Sequence, residues 1–212
     1  MSASCDKQEA ETGYGTRKPV AFTTKIEGHS LARAAGTQWG NDDIGIYMIK
    51  SGETLSSTSE LAGNKKYHTN STGNFTATTG NEILIPTDDS KVDFIAYYPY
   101  TGTVDNHTYK VDVSNQSSQE AIDLLWSDNA KNKGKDDSSI SLTFTRPLVK
   151  LVFHVKPETA GTSLDGLAAT ISGTKTLADF SLATGQLTVE SGSAALIAVP
   201  YTHLPLPTMR IV

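Results

Sequence analysis

The apolar residues of this chain fall in short runs that keep one of two patterns. In Pro19 to Glu27, Val20, Phe22, Thr24 and Ile26 alternate with Ala21, Thr23, Lys25 and Glu27. Successive side chains of a β-strand point to opposite faces, so a period of two predicts one apolar and one wet face. Ile140, Leu142 and Phe144 repeat the pattern, as do Tyr109, Val111 and Val113, and Val149, Leu151, Phe153 and Val155. Two other runs, Ile44 to Ile49 and Val92 to Tyr98, are apolar on both faces and belong in the middle of a sheet. Pro99 ends the second. Ser71-Thr72-Gly73-Asn74, between Tyr67 and Phe75, predicts a hairpin, and Ile83-Leu84-Ile85 a short strand closed by Pro86. Residues 50–66, rich in Ser, Gly and Lys, read as a loop, and only Gln119 to Leu125 reads as a helical turn. Short strands at near-regular spacing, separated by turn signals, predict an all-β sandwich.

The composition shifts at Asp128 to Ser139, a polar, glycine-bearing stretch of the kind that separates domains. Beyond it, further short strands are expected near Leu167–Ile171, Leu177–Leu182, Leu187–Val189 and Ala194–Val199. The expected organisation is a polar tether over 1–18, an N-terminal β-sandwich domain over 19–130 and a linker over 131–139. A partial C-terminal β-sandwich domain over 140–199 and a non-native tail over 200–212 complete it. Pro200, Pro205 and Pro207 forbid a central strand or helix in that tail. Its string from Tyr201 to Thr208 resembles translated adapter sequence, so the native protein is expected to stop near Val199 here.

Charge and motif content narrow the function by exclusion. Eighteen basic against 23 acidic residues give a net charge of −5, without the basic footprint of a nucleic-acid binder. No apolar run approaches the roughly 18 residues of a membrane-spanning helix. A single cysteine excludes a disulfide framework and a Cys-rich zinc site. His29, His68, His107, His154 and His203 form no H-x-x-x-H or H-E-x-x-H pattern, and neither a G-x-S-x-G elbow nor a P-loop is present. The pairs Asp42-Asp43, Asp88-Asp89 and Asp136-Asp137 sit beside turn residues and read as exposed, where nothing shifts a carboxyl toward acid–base work. No D-x-[DN]-x-[DN]-G ladder accompanies them. Neither enzyme, cofactor nor metal is expected. Trp39 and Trp126 are candidate sugar-stacking platforms, but each adjoins an apolar segment, which favours packing.

Ser2-Ala3-Ser4 before Cys5 resembles the end of a bacterial lipoprotein signal without its apolar region. Asp6 to Glu11 then resembles the acidic stretch that marks surface export in Bacteroidetes lipoproteins.

Taken in order, several strings resemble the fimbrillin family of Bacteroidetes in its Mfa-like branch. They are Val20-Ala21-Phe22-Thr23, Arg33-Ala34 before Trp39, Asn41 to Met48, Val92 to Tyr100 and Asp123-Leu124-Leu125-Trp126. Ile140 to Phe144, Leu148 to Leu151 and Phe180 to Gly185 complete a resemblance covering about residues 19–199. It implies two tandem sandwich domains of transthyretin-like type, the second truncated at the C-terminus. It also implies an outer-membrane lipoprotein precursor lipidated at Cys5 and assembly into cell-surface fimbriae of the type V pilus kind. The partners implied are other fimbrial subunits and a trypsin-like protease cutting between Arg33 and Ala34. The strand set free would be Pro19 to Glu27, pictured as an edge ribbon whose core face is Val20, Phe22 and Ile26. Burying each is worth about 1.5–3 kcal/mol, so the emptied groove would bind a replacement strand by donor-strand complementation. The family's donor strand lies in the C-terminal region, which makes this chain an expected acceptor without a donor. The competing function is a surface glycan-binding β-sandwich lipoprotein.

Overall fold

A computed structural model describes residues 19–27, 39–70, 72–152, 156–159, 162–163, 168–191, 194–200 and 208–211. Its elements are β1 (Ala21–Ile26), β2 (Asn41–Lys50), β3 (Glu60–Asn70), β4 (Asn74–Ala77), β5 (Val92–Tyr98), β6 (Thr108–Asp112) and β7 (Leu125–Lys133). They continue with β8 (Ser139–Phe144), β9 (Val149–Val152), β10 (Ala168–Lys175), β11 (Leu177–Ser181), β12 (Gln186–Val189), β13 (Ala194–Pro200) and β14 (Thr208–Ile211). The described residues contain no helix; of Gln119 to Leu125, expected as a helical turn, residues 119–122 make turns and Leu125 opens β7. The fold is all-β.

Seven strands form one sheet in the order β7-β5-β2-β3-β4-β1-β8. All seven contribute to a single core, among them Phe22, Ile44, Ile46, Tyr67, Phe75, Phe94, Leu125, Ala130, Ile140 and Phe144. A sheet that sends side chains from every strand into one core has to curl around it. The two ends of the strand order meet accordingly: Trp126 N–H donates to Thr145 O at 3.0 Å, and Thr145 N–H returns the bond to Trp126 O at 2.8 Å.

β2 and β5 lie in the interior of this sheet with both faces buried, as their uninterrupted apolar runs predict. Ile44, Ile46, Phe94, Ala96 and Tyr98 face the curled core. Tyr47, Ile49, Ile95 and Tyr97 face a second core, shared with Val111, Ala178, Phe180 and Leu182. That second core is roofed by a three-stranded sheet in the order β12-β11-β6. Tyr97 and Tyr98 therefore point to opposite faces.

The expected linker over 131–139 is corrected. Its first residues finish β7, and β8 beyond it joins the same curled sheet as β1. β11 and β12, also assigned to a separate C-terminal domain, pair with β6 instead. The polar run misleads because an alternation with a break in it still buries one face: Leu125, Ser127 and Ala130 are buried, and the register slips twice against β5. Residues 60–66, read as loop, are the first half of β3, with a bulge where Asn64 adopts φ 42°. Ile83-Leu84-Ile85 makes a single bridge, Pro19 with Leu84. β10 pairs with β13 and β9 with β14, so Thr208–Ile211, within the segment read as a non-native tail, is a strand.

Asp93 is only 3% exposed and sits at the irregular β5–β7 pairing. Its Oδ1 accepts from the Ser51 hydroxyl at 2.7 Å and Asn132 N–H at 2.7 Å, and its Oδ2 from Gly52 N–H at 3.1 Å. Burial pushes the carboxyl up, but these donors outweigh it and hold the group below the ordinary Asp range. A carboxyl that titrates lower folded than unfolded contributes stability above the unfolded pKa and loses it as pH falls through the folded one. Asp93→Asn is therefore expected to lower stability by about 1–3 kcal/mol at pH 7, with the gap narrowing below about pH 4; urea midpoints of both proteins at pH 7 and pH 3 check this.

Gly45 pairs with Tyr97, and a Cβ at Gly45 would overlap the Tyr97 ring. The ring has little freedom to withdraw, because its hydroxyl lies 2.7 Å from Asn64 Oδ1 and 2.9 Å from Thr101 O. Gly45→Ala is expected to cost about 1–3 kcal/mol by overpacking, read from the same denaturation midpoint.

Candidate functional site

The segment singled out for exchange lies inside the sheet, which corrects its placement as an edge ribbon. β1 is flanked by β4 on one side and β8 on the other. With β8 it runs parallel over six register pairs, from Ala21 with Ser139 to Ile26 with Phe144. With β4 it is antiparallel over only two pairs, Phe22 with Phe75 and Thr23 with Asn74. A parallel neighbour cannot come from a tight turn. β1 and β8 are accordingly far apart in the chain, and sequence alternation alone does not reveal which strand lies beside β1.

The period-two reading of its side chains holds. Val20 is 4% and Phe22 1% exposed, and Ile26 packs half-buried on the same core, whereas Ala21, Thr23 and Lys25 are exposed. Phe22 stands edge-on to Tyr67 at 5.0 Å and to Phe94 at 5.3 Å between ring centroids. Such edge-to-face pairs add to the burial of area. Tyr67 also ties the backbone together: its hydroxyl accepts from Ile83 N–H at 3.1 Å and lies 3.4 Å from Val20 O. Burial pushes the Tyr67 phenol above its ordinary value, so it stays protonated and able to donate.

Main-chain bonds hold both walls of the groove. Val20 N–H donates to Ile83 O at 3.0 Å and Thr24 N–H to Gly73 O at 2.9 Å, while Glu27 N–H donates to Phe144 O at 2.7 Å. Gly73 adopts φ 74°, a conformation that favours glycine, and a Cβ there would crowd Thr24 O at 3.2 Å. On the far side of β8, Asn129 takes the place of a neighbouring strand. Its Nδ2 donates to Ser141 O at 3.1 Å, and its Oδ1 accepts from Thr143 N–H at 2.8 Å. Sequence reading missed Asn129, because a polar residue in a polar run carries no local signal of that role.

Arg33, Ala34 and Cys5 lie outside the described residues. So do His29, His154 and His203. His68 pairs with its register partner Asp43 at 2.8 Å, and Lys66 Nζ reaches the other Asp43 oxygen at 2.8 Å. Burial raises the Asp43 carboxyl, but Lys66 and His68 pull it below the ordinary range, and Asp43 in turn raises His68. His107 Nε2 meets Glu60 Oε2 at 2.8 Å. Asp42, read as exposed, is buried and accepts from the Tyr98 hydroxyl at 3.2 Å. Each of these bonds ties one backbone segment to another. Among the described residues, no group of three or more His, Cys, Asp or Glu side chains could hold a metal ion.

Neither tryptophan is an open platform. Trp39 is 6% exposed, with edge contacts to Phe75, Tyr98 and Phe144 between 4.9 and 5.6 Å. Trp126 donates its indole N–H to Leu182 O at 3.0 Å and lies against Gly185, where a Cβ would strike the ring.

Comparison with known proteins agrees with this architecture. A family described as fimbrillin-like matches residues 32–207, reaching beyond Val199. A Bacteroides uniformis protein provisionally named fimbrium subunit Fim1C is 37% identical over 205 residues, 90% of this chain. The chain spans 65% of that relative's length. A Bacteroides uniformis crystal structure, provisionally described as that of a cell adhesion protein, superposes with a TM-score of 0.74 at 33% identity. The match covers 94% of this chain and 76% of that one. A similarly described structure from Bacteroides ovatus gives 0.70 at 19% identity over 93% of this chain and 78% of its own, a likeness of fold alone. By the extent of the family match and the identity to its relative, the chain belongs to the fimbrillin-like family.

Proposed function

We propose that the chain is a structural subunit of bacterial surface fimbriae that assembles by exchanging β1 for a strand of another subunit after export as an outer-membrane lipoprotein. It is no enzyme. The observation that carries the exchange is the seat of β1. A strand near the amino end fills a slot between β4 and β8 and sends Val20, Phe22 and Ile26 into the core. Removing it would leave two unpaired strand edges and an open aromatic pocket at Tyr67 and Phe94. An interior slot is better suited to a donor than an outer edge, because an incoming strand gains main-chain bonds on both sides as well as side-chain burial. Membership of the fimbrillin-like family supports a fimbrial role, and the names borne by the relatives, fimbrium subunit and cell adhesion protein, support a place at the cell surface.

Separation of β1 from β2 would come from a trypsin-like protease cutting between Arg33 and Ala34, in the stretch that joins them. Membrane attachment would come from acylation of Cys5, with more than one acyl chain, since a single chain anchors only marginally. The buried Trp39 and the covered Trp126 give the glycan-binding alternative no support.

Limited trypsin digestion of the folded chain, followed by mass spectrometry, tests the processing step. Early cleavage after Arg33, with the remainder still folded by circular dichroism, is expected. Persistent resistance at Arg33 while Lys110 and Lys135 are cut would sink it. In the complete precursor, fatty-acid labelling is expected to depend on Cys5 and to vanish in Cys5→Ser; labelling that survives the substitution removes Cys5 from the proposal.

A further inference from the structure

Resting on the strand-exchange reading, we infer that the groove selects its occupant by a code of aliphatic–x–aromatic–x–Ser/Thr–x–aliphatic, read by a strand entering parallel to β8. Four observations at β1 define the code. At the first position Val20 is buried, and its N–H is fixed to Ile83 O at 3.0 Å. At the second, Phe22 fills a pocket whose walls are two aromatic rings at 5.0 and 5.3 Å, an arrangement that favours a flat ring over a branched aliphatic chain. At the third, Gly73 O accepts two bonds from one residue, Thr24 N–H at 2.9 Å and Thr24 Oγ1 at 3.0 Å. A hydroxyl on a short side chain gives that carbonyl a second bond beside the backbone N–H, which an apolar side chain cannot supply. At the fourth, Ile26 is half-buried on the same core, a position that asks for an aliphatic group and tolerates variation in its size.

Direction follows from the two walls. The β8 ladder fixes six register pairs and the β4 ladder two, so β8 is the principal template. A strand entering the other way would have to rebuild the six-pair ladder in antiparallel geometry, with differently spaced bonds, while Gly73 O and Ile83 O stay where they are. Ala21, Thr23 and Lys25 face outward and carry no part of the code.

Within the 212 residues the pattern occurs once, at Val20, Phe22, Thr24 and Ile26. The occupant assigned here is a strand of another subunit that carries the same spacing as β1.

The test uses the full chain with a site-specific protease sequence inserted between Glu27 and Trp39, nicked and then incubated with labelled peptides spanning residues 19–27. Binding is followed by anisotropy and release of the amino-terminal piece by mass spectrometry. The native peptide is expected to displace that piece. Phe22→Ala in the peptide is expected to weaken binding at least about tenfold, and Thr24→Val by about three- to tenfold. Thr23→Ala and the outward Lys25→Ala should change it less than about twofold, and a reversed-sequence peptide should not bind. If the native peptide binds but the Phe22, Thr24 and reversed peptides bind equally well, the code is wrong and exchange survives. Failure of the native peptide itself to displace the nicked piece at any excess overturns exchange and the code together.

Discussion

Phe22 between Tyr67 and Phe94 joins three parts of the chain that have no local reason to meet. The ring comes from β1, and its two neighbours come from β3 and β5 on the far side of β4 and β2 in the strand order. A flat sheet would keep β1 and β5 too far apart for ring contact, since adjacent strands are spaced about 4.8 Å and these two are four places removed. Contact across the sheet therefore demands the curl, and the curl brings Ile140, Leu142 and Phe144 of β8 round to close the core from the other side. The small residues serve the same geometry. Gly73 lets the β3–β4 turn press against β1, and Gly45 lets the Tyr97 ring lie over β2.

The second core depends on the first. β2 and β5 can bury both faces only because the three-stranded β12-β11-β6 sheet covers what the curled sheet leaves outside. Polar groups bind the two layers at their margins. His107, just before β6, reaches Glu60 of β3, and the Trp126 indole reaches Leu182 O after β11. Among the described residues, Asp42, Asp43, Glu60, His68 and His107 are engaged in the same way, where strand ends, bulges and turns leave polar groups in need of partners. Asp93 shows the principle at its most buried, accepting from three donors at an irregular pairing.

The parts legible in the sequence are those whose pattern is local. β2 and β5 are uninterrupted apolar runs, β1 and β8 are clean alternations, and the β3–β4 hairpin carries its turn residues. Alternation also identified Val20, Phe22 and Ile26 as the inward face of β1. Three kinds of feature were not legible. Strands whose alternation breaks at a bulge, such as β3 at Asn64 and β7 opposite β5, look like loop because the shift puts polar residues in phase with apolar ones. Strand order was hidden, because the parallel pairing of β1 with β8 is set by three-dimensional closure and by no turn between them. The division of the chain was misplaced for the same reason. A polar stretch is read as a linker unless one knows that β8 returns to the sheet that β1 belongs to.

Strand order also bears on how the proposed acceptor would survive without its own strand. If β8 were held only through β1, losing β1 would detach β8 and destroy the groove before a donor arrived. β8 instead has a second attachment. The Trp126–Thr145 bridge anchors its carboxyl end to β7, and the Asn129 amide satisfies Ser141 O and Thr143 N–H along its outer edge. One side chain thus stands in for a neighbouring strand over the stretch where the β7–β8 ladder is missing, and it also denies that edge to foreign strands. The edge that β8 turns toward β1 has no such substitute, and neither does Gly73 O on the opposite wall. In the proposed exchange the groove would stay closed on the side where pairing is unspecific and open only on the side where Phe22, Thr24 and Ile26 set the terms.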